Sequence, residues 1–100
     1  MSLELYYSPS FSRSIRHLGV QQRKIIGLIL EAISVYYSSA CKIAEAQKIA
    51  PQFFYKQLRK PYYESGVERN MRVIIRRENE KCIVIIAGNH DQIKQFLVHL

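Results

Sequence analysis

The sequence predicts an α+β fold, a class in which helices and an antiparallel sheet occupy separate parts of the chain. Apolar residues recur at helical spacing over residues 11–37, whereas from residue 53 onward they alternate with polar residues as they do in β-strands. The chain has 100 residues and is 48% hydrophobic, which supports one core without disulfides or metal. We therefore expect a single domain over residues 1–100.

The N-terminal third is predicted to form a strand followed by a helical hairpin. Residues 3–7 alternate in the manner of a short strand. Ser8 and Pro9 then form a helix-start signal, because the Ser oxygen accepts from first-turn N–H groups and Pro has no N–H to satisfy. Gly19 is expected to end or kink this first helix, and a longer one is predicted over residues 21–37.

The longer helix has a broad apolar face, which predicts packing on two sides. Its predicted buried residues are Ile25, Leu28, Ile29, Ala32, Ile33 and Tyr36, with Ile26, Leu30 and Tyr37 widening that face. A weaker third helix or structured loop is expected over residues 40–50, anchored by Ala44 and Ile49.

The C-terminal half is predicted to form a three-stranded antiparallel run and a short last helix. The strands are expected over residues 53–59, 70–77 and 82–87, and the composition of residues 60–68 is typical of a turn. The third strand is apolar on both sides, which indicates an interior position in its sheet.

Gly88 and Asn89 follow this third strand, and Asn89 or Asp91 is expected to cap the last helix. We expect the helices to pack on one face of a small twisted sheet, leaving the other face partly open to solvent.

The chain is strongly basic, with a net charge of +7 and a pI near 9.7. Residues 1–50 contain six Lys and Arg against three Asp and Glu, and residues 51–100 contain nine against five, so the excess belongs to the folded body. Such a field attracts nucleic acid or anionic membrane, although a charge of this size also serves solubility alone.

Cysteine usage and hydropathy indicate a soluble, cytoplasmic protein. Cys41 and Cys82 lack metal-site spacing, and each is expected to be a small buried group in a reducing compartment. Residues 1–7 show no signal peptide, and the longest apolar stretch, residues 25–30, is far below the roughly 20 residues of a membrane span. We expect no metal, no cofactor and no membrane partner.

A basic cluster is predicted on the open face of the sheet. Arg72 and Arg76 lie four positions apart on one strand and therefore point to the same side, and Arg59 ends the preceding strand. Arginines so placed can grip phosphates, although polar residues also alternate outward on any half-exposed strand. Tyr62 and Tyr63 are expected in a loop beside them, where one could stack on bases and the other cover the core.

His90 is the candidate acid or base, because it leaves a buried strand and histidine titrates near neutral pH. Surface capping is an alternative role for it, and His17 and His99 are expected to be surface residues. The chemistry that fits without a metal is RNA cleavage by the substrate's own 2′-hydroxyl group. One group takes that proton, cations stabilise the charged phosphorane, and another group protonates the leaving oxygen.

Three segments in this order resemble the RelE/ParE superfamily of bacterial toxins. They are residues 55–59 (YKQLR), 69–75 (RNMRVII) and 83–90 (IVIIAGNH), which look like the family's K-L-R, Y-R-V-x-Y and strand-G-x-R/H motifs. The order strand, helical hairpin and antiparallel run also matches that family. The resemblance spans most of the chain, and its specificity comes from the order of the motifs because each is short.

The resemblance implies a toxin neutralised by a cognate antitoxin protein. RelE-like members cleave mRNA, usually on the ribosome, whereas ParE-like members inhibit DNA gyrase. By position in the motifs, the resemblance assigns contact with the scissile phosphate to Arg72 and a second catalytic role to His90. It assigns RNA binding to Lys56 and Arg59. Arg76, Tyr62, Tyr63 and Phe96 complete the predicted substrate contacts.

The sequence departs from the family pattern at three places. The connection between Arg59 and Arg72 is longer than usual, Met71 replaces an aromatic residue, and Phe96 stands where several ribonuclease members have Tyr. A ribonuclease toxin is the leading interpretation, and a gyrase inhibitor or a non-catalytic RNA-binding module remains an alternative. A DNA-binding helix-turn-helix fits less well, because the hairpin helices leave no polar recognition face.

Overall fold

The computed structural model describes residues 4–67 and 71–99, which form a mixed sheet with helices on both of its faces. The strands are β1 (Glu4–Tyr7), β2 (Phe54–Gln57), β3 (Tyr62–Gly66), β4 (Arg72–Glu78) and β5 (Lys81–Gly88). The helices are α1 (Pro9–Ile15), α2 (Val20–Ser38), α3 (Ile43–Ile49) and α4 (His90–Val98). The strand order is β1-β5-β4-β3-β2, with β1 parallel to β5 and every other pair antiparallel, so the predicted α+β class is confirmed.

The antiparallel run contains a strand that the sequence did not predict. The prediction of a turn over residues 60–68 is wrong for β3, which pairs with both β2 and β4. Pro61 and Gly66 suggested a turn, but Pro61 precedes the strand, where no ladder hydrogen bond is lost, and Gly66 ends it. Tyr62 and Tyr63 therefore point to opposite faces of a strand and do not share a loop.

The core lies between α2 and the side of the sheet that carries Val73, Ile75 and Val84, which we call the first face. The residues of α2 that are buried there are Ile26, Ile29, Ala32, Ile33 and Tyr37. The other predicted core residues, Ile25, Leu28, Leu30 and Tyr36, are partly buried and pack against this cluster. The apolar arc of the helix is wider than the sheet can cover, so its edges remain half-exposed.

Three details around the helices differ from expectation. Gly19 caps the start of α2 and does not end α1, since its N–H donates to Gln22 Oε1 at 3.0 Å. The buried residue of α3 is Ala46, while Ala44 is exposed. Cys41 is exposed in a turn with a positive φ of 62°, whereas Cys82 is buried, and burial raises the pKa of its thiol to about 11.

The expectation that the helices pack on one face of the sheet does not hold for α4, which lies against the opposite side, which we call the second face. Ile93 of α4 is buried, and the helix contacts β4 and β5. Ile74, which alternates with the first-face residues of β4, is fully buried although it is not part of the core under α2. The second face is therefore covered by α4 over β4 and β5 and is more open over β2 and β3. None of the described helices is both long and apolar enough to span a membrane.

Helix α1 runs along the part of β5 that extends beyond β1. Serines at its N-cap and within it form hydrogen bonds with backbone groups on the edge of β5. The hydroxyls of Ser8 and Ser10 donate to Ile85 O at 2.9 and 2.6 Å, and Ser14 Oγ accepts from Ala87 N at 3.1 Å. Ser8 Oγ also accepts from Phe11 N at 3.1 Å, so it caps the helix as well. These contacts fix the end of β5, where the chain turns into α4.

Ser8→Ala is expected to lower the free energy of unfolding by about 1–2 kcal/mol, because it removes a helix cap and a hydrogen bond to the sheet together. Ser12→Ala, an exposed position on the same helix, is the matched control and should change it by less than about 0.5 kcal/mol. Urea denaturation of the three proteins measures the difference, and equal stability of both variants would contradict the role given to Ser8.

Candidate nucleic-acid interface

The second face carries its side chains in rows that cross the strands. Alternation along each strand and the pairing register determine which residues share a row. One row is Phe54, Gly66, Arg72 and Gly88, the next is Lys56, Glu64, Ile74 and Ile86, and the third is Tyr62, Arg76 and Ile83. Four of the predicted site residues, Lys56, Tyr62, Arg72 and Arg76, therefore occupy one face.

The guanidinium of Arg72 is held by three kinds of contact. Its Nε lies 3.2 Å from Glu64 Oε2 in an ion pair, and one terminal nitrogen donates to the carbonyl oxygen of Met71 at 3.1 Å. The guanidinium carbon also lies 4.8 Å from the centre of the Phe54 ring, a cation–π distance. Only 16% of the side chain is exposed, so Arg72 has a defined place and is not a mobile surface residue.

Glu64 is the acidic centre of this face. Its side chain is 8% exposed, and its second oxygen lies 3.5 Å from the Lys56 ammonium. The Glu64 carboxylate thus forms ion pairs with cations from both neighbouring strands, Lys56 of β2 and Arg72 of β4. The ion pairs with these two cations offset the cost of burying its charge.

Gly66 makes room for the contact between Arg72 and Phe54. It lies between them in the same row, so the arginine side chain can cross β3 to reach the ring. A Cβ at this position would lie 2.8 Å from both Met71 O and the Phe54 ring, and 3.1 Å from Arg72 Cδ. Any side chain here would therefore displace the arginine or its supports.

Arg76 and Tyr62 form the outer part of the second face. They are register partners, and both are half-buried. Arg76 forms an ion pair with Glu78 through a terminal nitrogen. Lys56, Arg72 and Arg76 therefore each have a carboxylate partner, and an incoming phosphate must compete with that partner.

His90 is the first residue of α4 and is exposed. Asn89 caps the helix, because its side chain accepts from Gln92 N at 2.8 Å and Gln92 Oε1 accepts from Asn89 N at the same distance. Gly88, two residues before His90, is the register partner of Arg72. The capping box therefore sets His90 at the end of the sheet where Arg72 begins β4.

Tyr63 lies on the first face, away from Arg72. It stacks on Tyr55 with 5.2 Å between ring centres, and the Arg77 guanidinium lies 5.9 Å from its ring. Arg77 also lies 4.8 Å from the ring of Tyr37, whose hydroxyl is hydrogen-bonded to that of Tyr55. Burial raises the pKa of both hydroxyls, that of Tyr55 to about 12, so the tyrosines are neutral and pack with the core.

The remaining predicted residues lie at the margins. Arg59 is exposed just beyond β2, and Phe96 is half-buried on α4. Arg69 lies outside the described residues. In residues 4–67 and 71–99, no group of three or more His, Cys, Asp or Glu side chains is arranged to hold a metal ion.

Sequence reasoning missed Glu64, Phe54 and Gly66 as parts of the site. Glu64 and Gly66 lie in β3, and Phe54 lies on the neighbouring strand β2. Because the sequence predicts a turn in place of β3, it does not predict that these three residues share a face. One signal was present, because Tyr62, Glu64 and Gly66 alternate with Tyr63, Ser65 and Val67.

The fold and the second face define an α+β protein with paired cations on a partly open sheet. No family model matches the sequence, and no curated protein matches it significantly. Several solved structures have the same fold. The chain is therefore comparable with known proteins through its architecture.

The first of these structures is the RelB–RelE antitoxin–toxin complex from Methanococcus jannaschii, with 17% identity, a TM-score of 0.63 and coverage of 91% of this chain and 96% of that one. The E. coli DinJ–YafQ complex has 14% identity, a TM-score of 0.59 and coverage of 92% and 97%. A mutant toxin from Helicobacter pylori has 15% identity, a TM-score of 0.59 and coverage of 90% and 97%. This chain thus has the fold of the RelE- and YafQ-type toxins, as the sequence resemblance predicted.

Gly66→Ala is expected to lower the free energy of unfolding by about 1–3 kcal/mol, because backbone atoms of Met71 limit relaxation around the added methyl group. Gly27→Ala, in α2 with nothing within 4 Å of an added Cβ, is the matched control and should raise it by about 0.5–1 kcal/mol. Thermal and urea unfolding measure both changes. A neutral Gly66→Ala variant would show that the row has space for a side chain.

Proposed function

We propose that this protein is the toxin of a toxin–antitoxin module and a metal-independent endoribonuclease that cleaves mRNA on the ribosome. One observation carries the proposal: on the fold of RelE-type toxins, an anchored arginine, Arg72, and an exposed histidine, His90, occur at the same end of the sheet. The function implies that it acts in the cytoplasm and blocks translation.

The proposed reaction uses the RNA's own 2′-hydroxyl group as nucleophile. The 2′-oxygen bonds to the adjacent phosphorus, the bond to the 5′-oxygen breaks, and a 2′,3′-cyclic phosphate and a 5′-hydroxyl end are formed. Arg72 stabilises the negative charge that develops on the phosphorane. His90 transfers a proton to or from the reacting oxygens, because a neutral imidazole accepts a proton and a protonated imidazole donates one.

The residues around this pair are proposed to hold the RNA strand. Lys56, Arg59 and Arg76 contact its phosphates, and their exposure allows this. Tyr62 and Phe96 are half-buried rings that offer stacking surfaces for bases. Tyr63 has no part in this proposal, because it packs into the first face.

A cognate antitoxin is the proposed protein partner. The M. jannaschii and E. coli structures with this fold are toxin–antitoxin complexes, which supports such a partner here. An antitoxin encoded beside this chain should form a stable complex with it and suppress its activity.

Primer extension on mRNA bound to translating ribosomes tests the proposed reaction. Wild type should create new 5′ ends, Arg72→Ala should lower the cleavage rate by about 10²–10³-fold, and His90→Ala by about 10²–10⁴-fold. His17→Ala, which removes another exposed histidine, is the matched control and should cleave like wild type. Cleavage of naked RNA in EDTA checks independence from metal.

Intact mRNA with wild-type protein would contradict the ribonuclease proposal. Stalled DNA replication with intact mRNA would then favour gyrase inhibition of the ParE type, and harmless expression would favour a non-catalytic RNA-binding module.

A further inference from the structure

Glu64 is a charged group of the second face that the proposed reaction does not use, and it is also among the most buried charged residues that the structure describes. Burying a carboxylate is costly, and an ion pair inside a protein adds little net stability over an apolar pair of the same shape. A buried ion pair does fix the relative position of its two side chains. The position of Glu64, between Arg72 and Lys56, points to a role in placing those cations.

We propose that Glu64 is a positioning residue, which holds the Arg72 guanidinium at one place on the second face for contact with a phosphate. This inference rests on the proposed function, since a phosphate at Arg72 is the reason for fixing it. Glu64 binds the arginine at Nε, near the backbone end of the guanidinium, and Phe54 supports the same group through its ring. The carboxylate and the ring together therefore fix the position and the plane of the cation.

The same carboxylate also weakens the attraction of the face for RNA. It lies 3.5 Å from the Lys56 ammonium, so its negative charge offsets two of the cations that would meet a phosphate backbone. Binding and turnover should thus respond in opposite directions when this charge is removed. A residue that only maintained the fold would lower both together.

Glu64→Gln is the first test, because it keeps the size of the side chain and removes its charge. RNA that is made resistant to cleavage by 2′-O-methyl groups should bind several-fold more tightly, whereas the single-turnover cleavage rate should fall by about 10–10²-fold, since a misplaced catalytic group loses rate of this order. Glu64→Asp, which restores the charge on a shorter stem, should recover part of the rate. Parallel loss of binding and rate in Glu64→Gln would overturn the proposal.

Glu78→Gln is the matched control. It also removes one negative charge from the second face. Glu78 pairs with Arg76 and not with Arg72. Tighter RNA binding with an unchanged cleavage rate is expected. A rate loss equal to that of Glu64→Gln would show that net charge, and not the position of Arg72, controls the reaction.

A double-mutant cycle tests whether Glu64 acts through Arg72. In an Arg72→Ala background, Glu64→Gln should cause no further loss of rate. Additive losses would mean that Glu64 acts independently, and the positioning role would be wrong.

An NMR measurement on the free protein does not depend on catalysis. The Nε–H proton of Arg72 should exchange slowly with solvent in wild type and at least 10-fold faster in Glu64→Gln. Slow exchange in both proteins would overturn the positioning role. A wild type that fails to cleave RNA but shows this difference would refute the ribonuclease proposal and leave the positioning of Arg72 supported.

Discussion

The ion pair between Glu64 and Arg72 ties the second face together, because its two partners come from neighbouring strands and a third strand contributes Lys56 to the same carboxylate. The charges meet only if β2, β3 and β4 keep their register, since a slip of one residue would turn Glu64 toward the core. Gly66 extends this constraint to Phe54 by leaving space for the arginine to cross β3. The arrangement therefore links the pairing of three strands to the position of one guanidinium.

The two faces of the sheet use aromatic and cationic residues in different ways. On the first face, Arg77 is surrounded by tyrosine rings and hydroxyls, and these groups close the core beside α2. On the second face, Arg72 contacts the Phe54 ring and the Glu64 carboxylate, and the neighbouring side chains of Lys56 and Arg76 remain open to solvent. Similar residue types thus stabilise one face and leave a chemically useful surface on the other.

Much of the architecture could be predicted from periodicity, because the stripe of α2 and the alternation of β4 are long enough to define their elements. The face shared by Arg72 and Arg76 followed from that alternation. By contrast, β3 is short and follows a proline, so its composition resembled a turn and concealed Glu64. Pairing with β2 and β4 determines that this segment is a strand, and it also determines that Tyr63 faces the core. The exposure of Cys41 depends on a positive-φ turn that composition did not indicate.

The most direct test of the second face as an RNA-binding surface is an NMR titration of the wild-type protein with a 2′-O-methyl RNA oligonucleotide. We expect the largest changes in amide chemical shift at Lys56, Glu64, Arg72 and His90, with smaller changes at the tyrosine-lined first face. This pattern should weaken as salt is added, because phosphate contacts release counterions. Shifts confined to the first face or to the α1–α2 hairpin would contradict the account.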